Sequence, residues 1–251
     1  MILVLGGTAE ARALADALDQ DGAAVTTSLA GRVSNPRLPR GQVRVGGFGG
    51  PQALAAWLRG HRIDAVVDAT HPFAAQITQS AAQACPAARV PLLRLERPGF
   101  RERAGDRWRW VADLDQAAEL VGVRDGRVLL TTGRQGLSAF ARVDGAWFLV
   151  RCVEPPEPPL PPHHQLLLDR GPYTLAGELV LIDAHGIDLV VTKDSGGNMT
   201  QPKLDAARER GLPVIVVERP PRPDVETVAT VAQALSWARA RSAPAAADRC
   251  P

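Results

Sequence analysis

The chain has 251 residues and carries 29 Lys and Arg against 27 Asp and Glu, a formal charge of +2. That length suits one large α/β domain or two smaller ones, and a charge this near neutral excludes the broad basic surface of a general nucleic-acid binder. Three widely spaced cysteines, Cys85, Cys152 and Cys250, exclude a disulfide framework and argue against a zinc site, so no metal is expected.

The opening apolar run stops at Leu5, too soon for a signal peptide. No segment reaches the ~18 apolar residues of a membrane span. A cytoplasmic protein with neither membrane nor nucleic acid as partner is expected. Ile2–Leu5 reads as a short buried strand closed by Gly6-Gly7. Ala11, Leu14, Ala15 and Leu18 share one helix face, with Thr8 as its N-cap. Gly22 follows, then Ala24–Ser28 as a second strand, which makes a βαβ unit. "VRVGGFGG" runs a strand into glycines. "PQALAAWLRG" is a helix with Pro51 at its first position and Gly60 past its end. "IDAVVDATHPF" is a buried strand and its loop, "FAAQITQSAAQA" a helix, and "VPLLRLERP" a further strand.

Around Arg107–Val123 the character changes. "DRWRWV" reads as a strand and "DLDQAAELVGV" as a helix. "GRVLLTTGR" starts a fresh strand–turn unit and "AWFLVRCV" follows. "EPPEPPLPPHH" is a proline-dense connector that neither a helix nor a central strand tolerates. "GIDLVVTKDSGGNMTQPKLDAARERGLPVIVVERP" is strand, loop, helix and strand. A last helix over about Val225–Arg241 turns Val228, Val231, Ala232 and Leu235 inward. Alternating strands and helices predict parallel sheets with sites at the strand C-terminal ends. The expected architecture is two Rossmann-like α/β domains, 1–124 and 125–242, with a cleft between them and a tail at 243–251.

The chemistry sits in the loops. Gly6-Gly7-Thr8 through Ala11 approximates G-x-G-x-x-G/A, with Thr8 in place of the middle glycine. A strand ending in glycines before a helix brings backbone N–H groups to a pyrophosphate. The second strand's end, "TTSLAGR", lacks the acid that binds an NAD ribose. Ser28 and Arg32, flanking Ala30 and Gly31, instead suit a 2′-phosphate, which favours NADPH over NADH. Gly46 and Gly47 allow positive φ and close approach of backbone to ligand. Asp68, Thr70 and His71 stand at a third strand end. In the second half, "TTGRQG" and "TKDSGG" each bring a cation, hydroxyls and glycine to a strand end. No G-x-S-x-G elbow or Walker A sequence occurs. The sole tyrosine, Tyr173, has Gly177 four residues on, which removes the short-chain dehydrogenase Tyr–Lys pair.

Taken in order, "LGGTAEARALA", "SLAGR", "VRVGGFGG", "VVDATHPFA", "LLRLERP", "TTGR", "VTKDSGG" and "KLDAARERGLPVIVVERP" resemble the precorrin-6A reductases of cobalamin biosynthesis, over nearly the whole chain to about residue 241. The resemblance implies NADPH in the first domain, at Gly6, Gly7, Thr8, Glu10, Ser28, Ala30, Gly31, Arg32, Gly46, Gly47 and Thr70. It implies hydride transfer to one double bond of precorrin-6A, giving precorrin-6B, on a macrocycle either metal-free or carrying cobalt. It also implies contacts with neighbouring pathway enzymes. The substrate's carboxylates call for cations, so Arg134, Lys193, Gly196 and Lys203 are the candidate substrate residues. Asp68, His71, Asp194 and Ser195 are the candidate catalytic residues, none of them expected to be indispensable for protonation. Two rival readings are an S-adenosylmethionine-dependent methyltransferase and a two-lobed anion- or sugar-binding protein. The absent ribose-binding acid counts against the first, and the absent export signal against the second.

Overall fold

The computed structural model describes residues 1–31 and 38–241. The expectations placed on Arg32 and on the tail 243–251 lie outside the described residues. In chain order the elements are β1 (Ile2–Leu5), α1 (Ala9–Gln20), β2 (Val25–Leu29), β3 (Gln42–Val45), α2 (Pro51–Gly60), β4 (Ala65–Asp68), α3 (Ala75–Ala88) and β5 (Leu92–Leu95). There follow β6 (Trp108–Val111), α4 (Leu114–Gly122), β7 (Gly126–Leu130), a 3-10 turn (Leu137–Phe140), β8 (Ala146–Cys152) and β9 (His164–Leu168). Last come α5 (Leu175–His185), β10 (Leu189–Lys193), α6 (Pro202–Glu209), β11 (Val214–Val217), β12 (Thr227–Val228) and α7 (Val231–Arg239).

These form two six-stranded sheets, ordered β12-β5-β4-β1-β2-β3 and β6-β11-β10-β7-β8-β9, with every pairing parallel. The central strands are buried on both faces, so they read as unbroken apolar runs such as Val214–Val217. Threonine and aspartate start most of the helices that follow. Thr8 accepts from the Ala11 N–H at 3.0 Å, Asp113 from Gln116 at 2.8 Å and Thr174 from Gly177 at 3.1 Å, and Thr230 forms a capping box with Gln233.

The chain divides into two units, Met1–Arg97 with Pro221–Pro251, and Pro98–Pro220. This corrects the expected boundary near residue 125. β6 lies beside β11, so the 108–122 segment belongs to the second unit, while β12 and α7 return to the first. In the first unit one sheet face packs α1 and α7 through Leu14, Leu18, Ala234 and Trp237. The other face packs α2 and α3 through Leu54, Leu58, Ala81 and Cys85. The last helix starts at Val231, not Val225. Val228 is strand, Ala232 is exposed, and Ala234, Trp237 and Ala238 are the buried side chains. In the second unit Leu129, Leu149, Val190, Val216, Ile182 and Leu204 build the core between the sheet and α5 and α6.

Candidate functional site

In the first unit the strand order reverses between β1 and β4, and an open parallel sheet binds ligands at such a switch point. The turn after β1 uses its two glycines differently. A Cβ on Gly6 would come within 2.9 Å of the Thr27 methyl, so Gly6 allows β1 to lie close to β2. Gly7 has φ +112° and open space where a side chain would stand, a cradle left for a ligand's approach. The first-turn N–H groups of α1, which have no intrahelical acceptors, follow directly. The Thr8 hydroxyl is spent on structure. It donates to the Ala69 carbonyl at 2.7 Å and accepts from Ala11, so Thr8 can offer a phosphate its backbone and not its side chain. Glu10, beside the same turn, is paired with Arg97 at 2.8 Å. This pairing cancels the repulsion a lone carboxylate would exert on a phosphate.

At the ends of β2 and β3, Ser28 is buried and faces Arg44, its register partner. Arg44 Nη1 donates to Ser28 Oγ at 3.4 Å and to the Gly46 carbonyl, and Nη2 donates to the Gly47 carbonyl at 2.7 Å. Its guanidinium stacks 3.8 Å from the Phe48 ring centre. Gly46 has φ +111° and Gly31 φ +72°; Ala30 and Gly31 are exposed.

The end of β4 differs from expectation. Asp68 is 1% exposed and both its oxygens are occupied. Oδ1 accepts from the Thr70 N–H at 3.1 Å and the Thr70 hydroxyl at 2.6 Å; Oδ2 accepts from Thr78 and Arg94, each at 2.7 Å. Arg94 also pairs with Glu96, which in turn takes Arg222 at 2.8 Å. Asp68 and Thr70 therefore belong to a buried ion network bracing β4, β5 and α3. His71 is half-buried, and its Nδ1 accepts from the Phe73 N–H at 3.2 Å. In the neutral ring this places the proton on Nε2.

In the second unit the residues after β10 tie the chain down. Asp194 Oδ1 accepts from the Phe100 N–H at 2.7 Å, and Oδ2 lies 3.0 Å from Arg219 Nε. It clamps the segment entering this unit to the segment leaving it. Gly99 must be glycine, because a Cβ would stand 2.5 Å from Asp194 Oδ2. Gly196, at φ +63°, has no room either: a Cβ would sit 2.2 Å from the Pro98 carbonyl oxygen. Thr200 donates its hydroxyl to the Gly196 carbonyl at 3.1 Å. In the 3.3 Å contact between Thr200 and Ser195 the Ser195 hydroxyl is therefore the donor.

The expected substrate cations fall in contrasting surroundings. Arg134 lies 3.6 Å from Glu154, between the loops after β7 and β8. Lys193 donates to the Gln135 carbonyl at 3.3 Å, and burial lowers its pKa. Lys203, in the first turn of α6, is 3% exposed, with Nζ on the Thr200 carbonyl at 3.0 Å and 5.4 Å from the Phe100 ring centre. Burial first and nearby Arg151 second, opposed by Glu178, together bring its ammonium down to about 7. Arg151 and Glu178 form a buried pair at 2.6 Å, with the Arg151 guanidinium 4.0 Å from the Tyr173 ring centre. Lys203 is thus enclosed and does not meet solvent as a carboxylate-binding cation would. Sequence reasoning missed Arg44, Arg94, Glu96, Arg97, Arg151 and Glu178. The available signal was a charged residue inside an apolar strand run, as in "LLRLER" and "FLVRCV".

Two doubly wound parallel sheets, one with a glycine-lined turn opening a helix at its switch point, define a Rossmann-like α/β protein. The chain belongs to the precorrin-6x reductase CbiJ/CobK family, whose model matches residues 1–239. It is 54% identical over 238 residues to the precorrin-6A reductase of Rhodococcus erythropolis, covering 94% of this chain and 96% of that one. It is 32% identical to the cobalt-precorrin-6A reductase of Salmonella typhimurium, covering 87% of each. The solved structure of CobK precorrin-6A reductase superposes with a TM-score of 0.91 at 40% identity, covering 96% of this chain and 97% of that chain. The family and the α/β fold expected from the ordered motifs are those found.

Proposed function

We propose that this chain reduces one carbon–carbon double bond of the precorrin-6A macrocycle, with NADPH as the reductant and the first unit as its site. The observation that carries the cofactor half is the turn at Gly6-Gly7. Gly7 sits at positive φ with open space where a side chain would stand, just before the first turn of α1. When bound there, the dinucleotide supplies a hydride, and this chain supplies position and charge. Gly7 and the first turn of α1 hold the pyrophosphate. Arg97 keeps Glu10 neutralised beside it, and Ser28 with the loop at Gly46-Gly47 holds the adenosine end.

A proton completes the reduction. Among the four candidates, Asp68, Asp194 and Ser195 are each committed to internal partners. His71, whose Nδ1 takes the Phe73 N–H, carries its proton on Nε2 in the neutral ring and is the donor favoured by this reading. Arg134 and Lys193 remain the cations at the second unit's strand ends that fit substrate carboxylates. The metal-free macrocycle is favoured by the relatives themselves, since those named precorrin-6A reductase are 40–54% identical and those named for the cobalt form 30–32%.

Titration with NADPH and NADH, followed by nicotinamide fluorescence, tests the cofactor reading. Wild type is expected to bind NADPH at least ~10-fold tighter, a gap of about 1.4 kcal/mol. Binding of neither nucleotide would overturn the assignment of the Gly6-Gly7 turn to a nicotinamide dinucleotide.

A further inference from the structure

Arg44 makes three hydrogen bonds and a ring contact from the edge of the first unit's sheet. β3 is the edge strand of its sheet, where an arginine is ordinarily solvated. Here the residue is half-buried, with its guanidinium carbon 3.8 Å from the Phe48 ring centre. Phe48 in turn meets Trp57 edge-on at 5.3 Å between ring centres, and Trp57 stacks on His61 at 4.0 Å. Three of the five guanidinium N–H groups go to the Gly46 carbonyl, the Gly47 carbonyl and Ser28 Oγ. Those three acceptors are the adenosine-end loop and the hydroxyl that closes β2.

The direction of these bonds matters. Ser28 accepts from Arg44, so its own proton is left to donate outward to an anion. The Gly46 and Gly47 carbonyls are engaged by Arg44, whose charge offsets their negative ends. The full positive charge stays beside Ser28, because a guanidinium does not lose its proton. A planar cation that engages two carbonyls, orients a hydroxyl and has two further N–H groups suits a phosphate monoester.

We propose that Arg44 is a specificity-determining residue for the cofactor, making the end of β2 selective for a ribose that carries a 2′-phosphate over one with a free 2′-hydroxyl. This rests on the reading of the first unit as a nicotinamide dinucleotide site.

The test is a set of dissociation constants for NADPH and NADH, with wild type, Arg44→Lys, Arg44→Met and Phe48→Leu, alongside thermal melts. Arg44→Met is expected to weaken NADPH by about 10- to 100-fold while NADH changes less than about threefold. Arg44→Lys, which keeps the charge but not the fork, should fall between. Phe48→Leu leaves Arg44 in the chain without its platform and is expected to cost part of the preference, which keeps the test alive if Arg44→Met does not fold. A second readout uses no nicotinamide: 2′,5′-ADP should raise the melting temperature of wild type more than 5′-ADP does, and Arg44→Met should erase the difference. If the variants weaken both dinucleotides equally and keep the ratio, Arg44 is only a brace for its loop and the proposal fails. If wild type binds neither dinucleotide, it is the cofactor reading that fails.

Discussion

The two units share one strand order and differ in what stands at its carboxyl edge. In each, five consecutive strands are laid out alike, β5-β4-β1-β2-β3 and β11-β10-β7-β8-β9, and the sixth place is taken by a strand from elsewhere in the chain. In the first unit β1 turns directly through glycines into the 12-residue helix α1. In the second the equivalent position after β7 carries Thr131, Thr132, Gly133 and Arg134 and then only a four-residue 3-10 turn. The first edge therefore presents backbone N–H groups at a helix end. The second presents side chains, Arg134 and Lys193 at strand ends, with Arg151 and Lys203 enclosed in the same unit. The comparison teaches that topology chooses where a ligand goes and not what kind it is. A backbone cradle suits a pyrophosphate, whereas scattered cations suit an anion whose charges are spread over a wide body, which is what the proposed substrate offers.

The sharpest way to break this comparison is to attack the ion network that braces the first edge. Asp68→Ala leaves Arg94 without one of its two buried carboxylates, and the loss expected from breaking a buried pair is about 3–5 kcal/mol. Urea unfolding would read it. A variant of wild-type stability but without reductase activity would instead make Asp68 a catalytic acid.

The second edge has its own signature in pH. Lys203 has a folded-state pKa of about 7 against its ordinary 10.5, so between those values the unfolded chain binds the extra proton. Stability should then rise as pH climbs through that window, and the stabilisation is missing below it. Lys203→Met removes the buried charge. The variant is expected to be more stable by on the order of 2 kcal/mol at about pH 6.5, with the gain shrinking toward about pH 9.5. Urea midpoints at the two pH values check this, and a gain independent of pH would mean that the lysine is not desolvated.

A smaller effect separates the candidate proton donors of the two units. His71→Gln is expected to lower kcat about 10- to 100-fold with KM unchanged, and Ser195→Ala, its proton already given to Thr200, to change kcat less than about threefold. Steady-state kinetics with both variants decide it, and equal effects would remove His71 from the proton's path.

Most of the fold was legible because buried parallel strands announce themselves as apolar runs and their helices as 3.6-residue stripes. Thr8 as a cap and the glycines at residues 6, 7 and 46 could be read for the same local reasons. Sheet membership could not. Nothing in "DRWRWV" says that its neighbour is Val214–Val217, and two residues of strand at Thr227–Val228 leave no periodicity, so helix propensity ran on through them. The network at Asp68 was hidden because Arg94 and Glu96 reach it from 26 and 28 residues downstream. Lys203 was misjudged because burial is a property of what packs above α6, and a lysine in sequence looks the same covered or open.

The exchanged sixth strands also bear on how the molecule is made. During synthesis the first sheet emerges through β5 and then waits. Its missing edge, β12, and the helix α7 that covers one face arrive only after the whole second unit has been translated. Until then β5 shows an open edge, and β4 and β5 lack the cover that α7 gives to one face, a state that invites pairing with other chains. The second unit suffers no such delay, since β6 precedes the strands it joins. The half of the protein that is translated first is therefore the half that finishes folding last, and a chain cut short at the return crossing near Pro220 would keep a complete second unit attached to an unfinished first one.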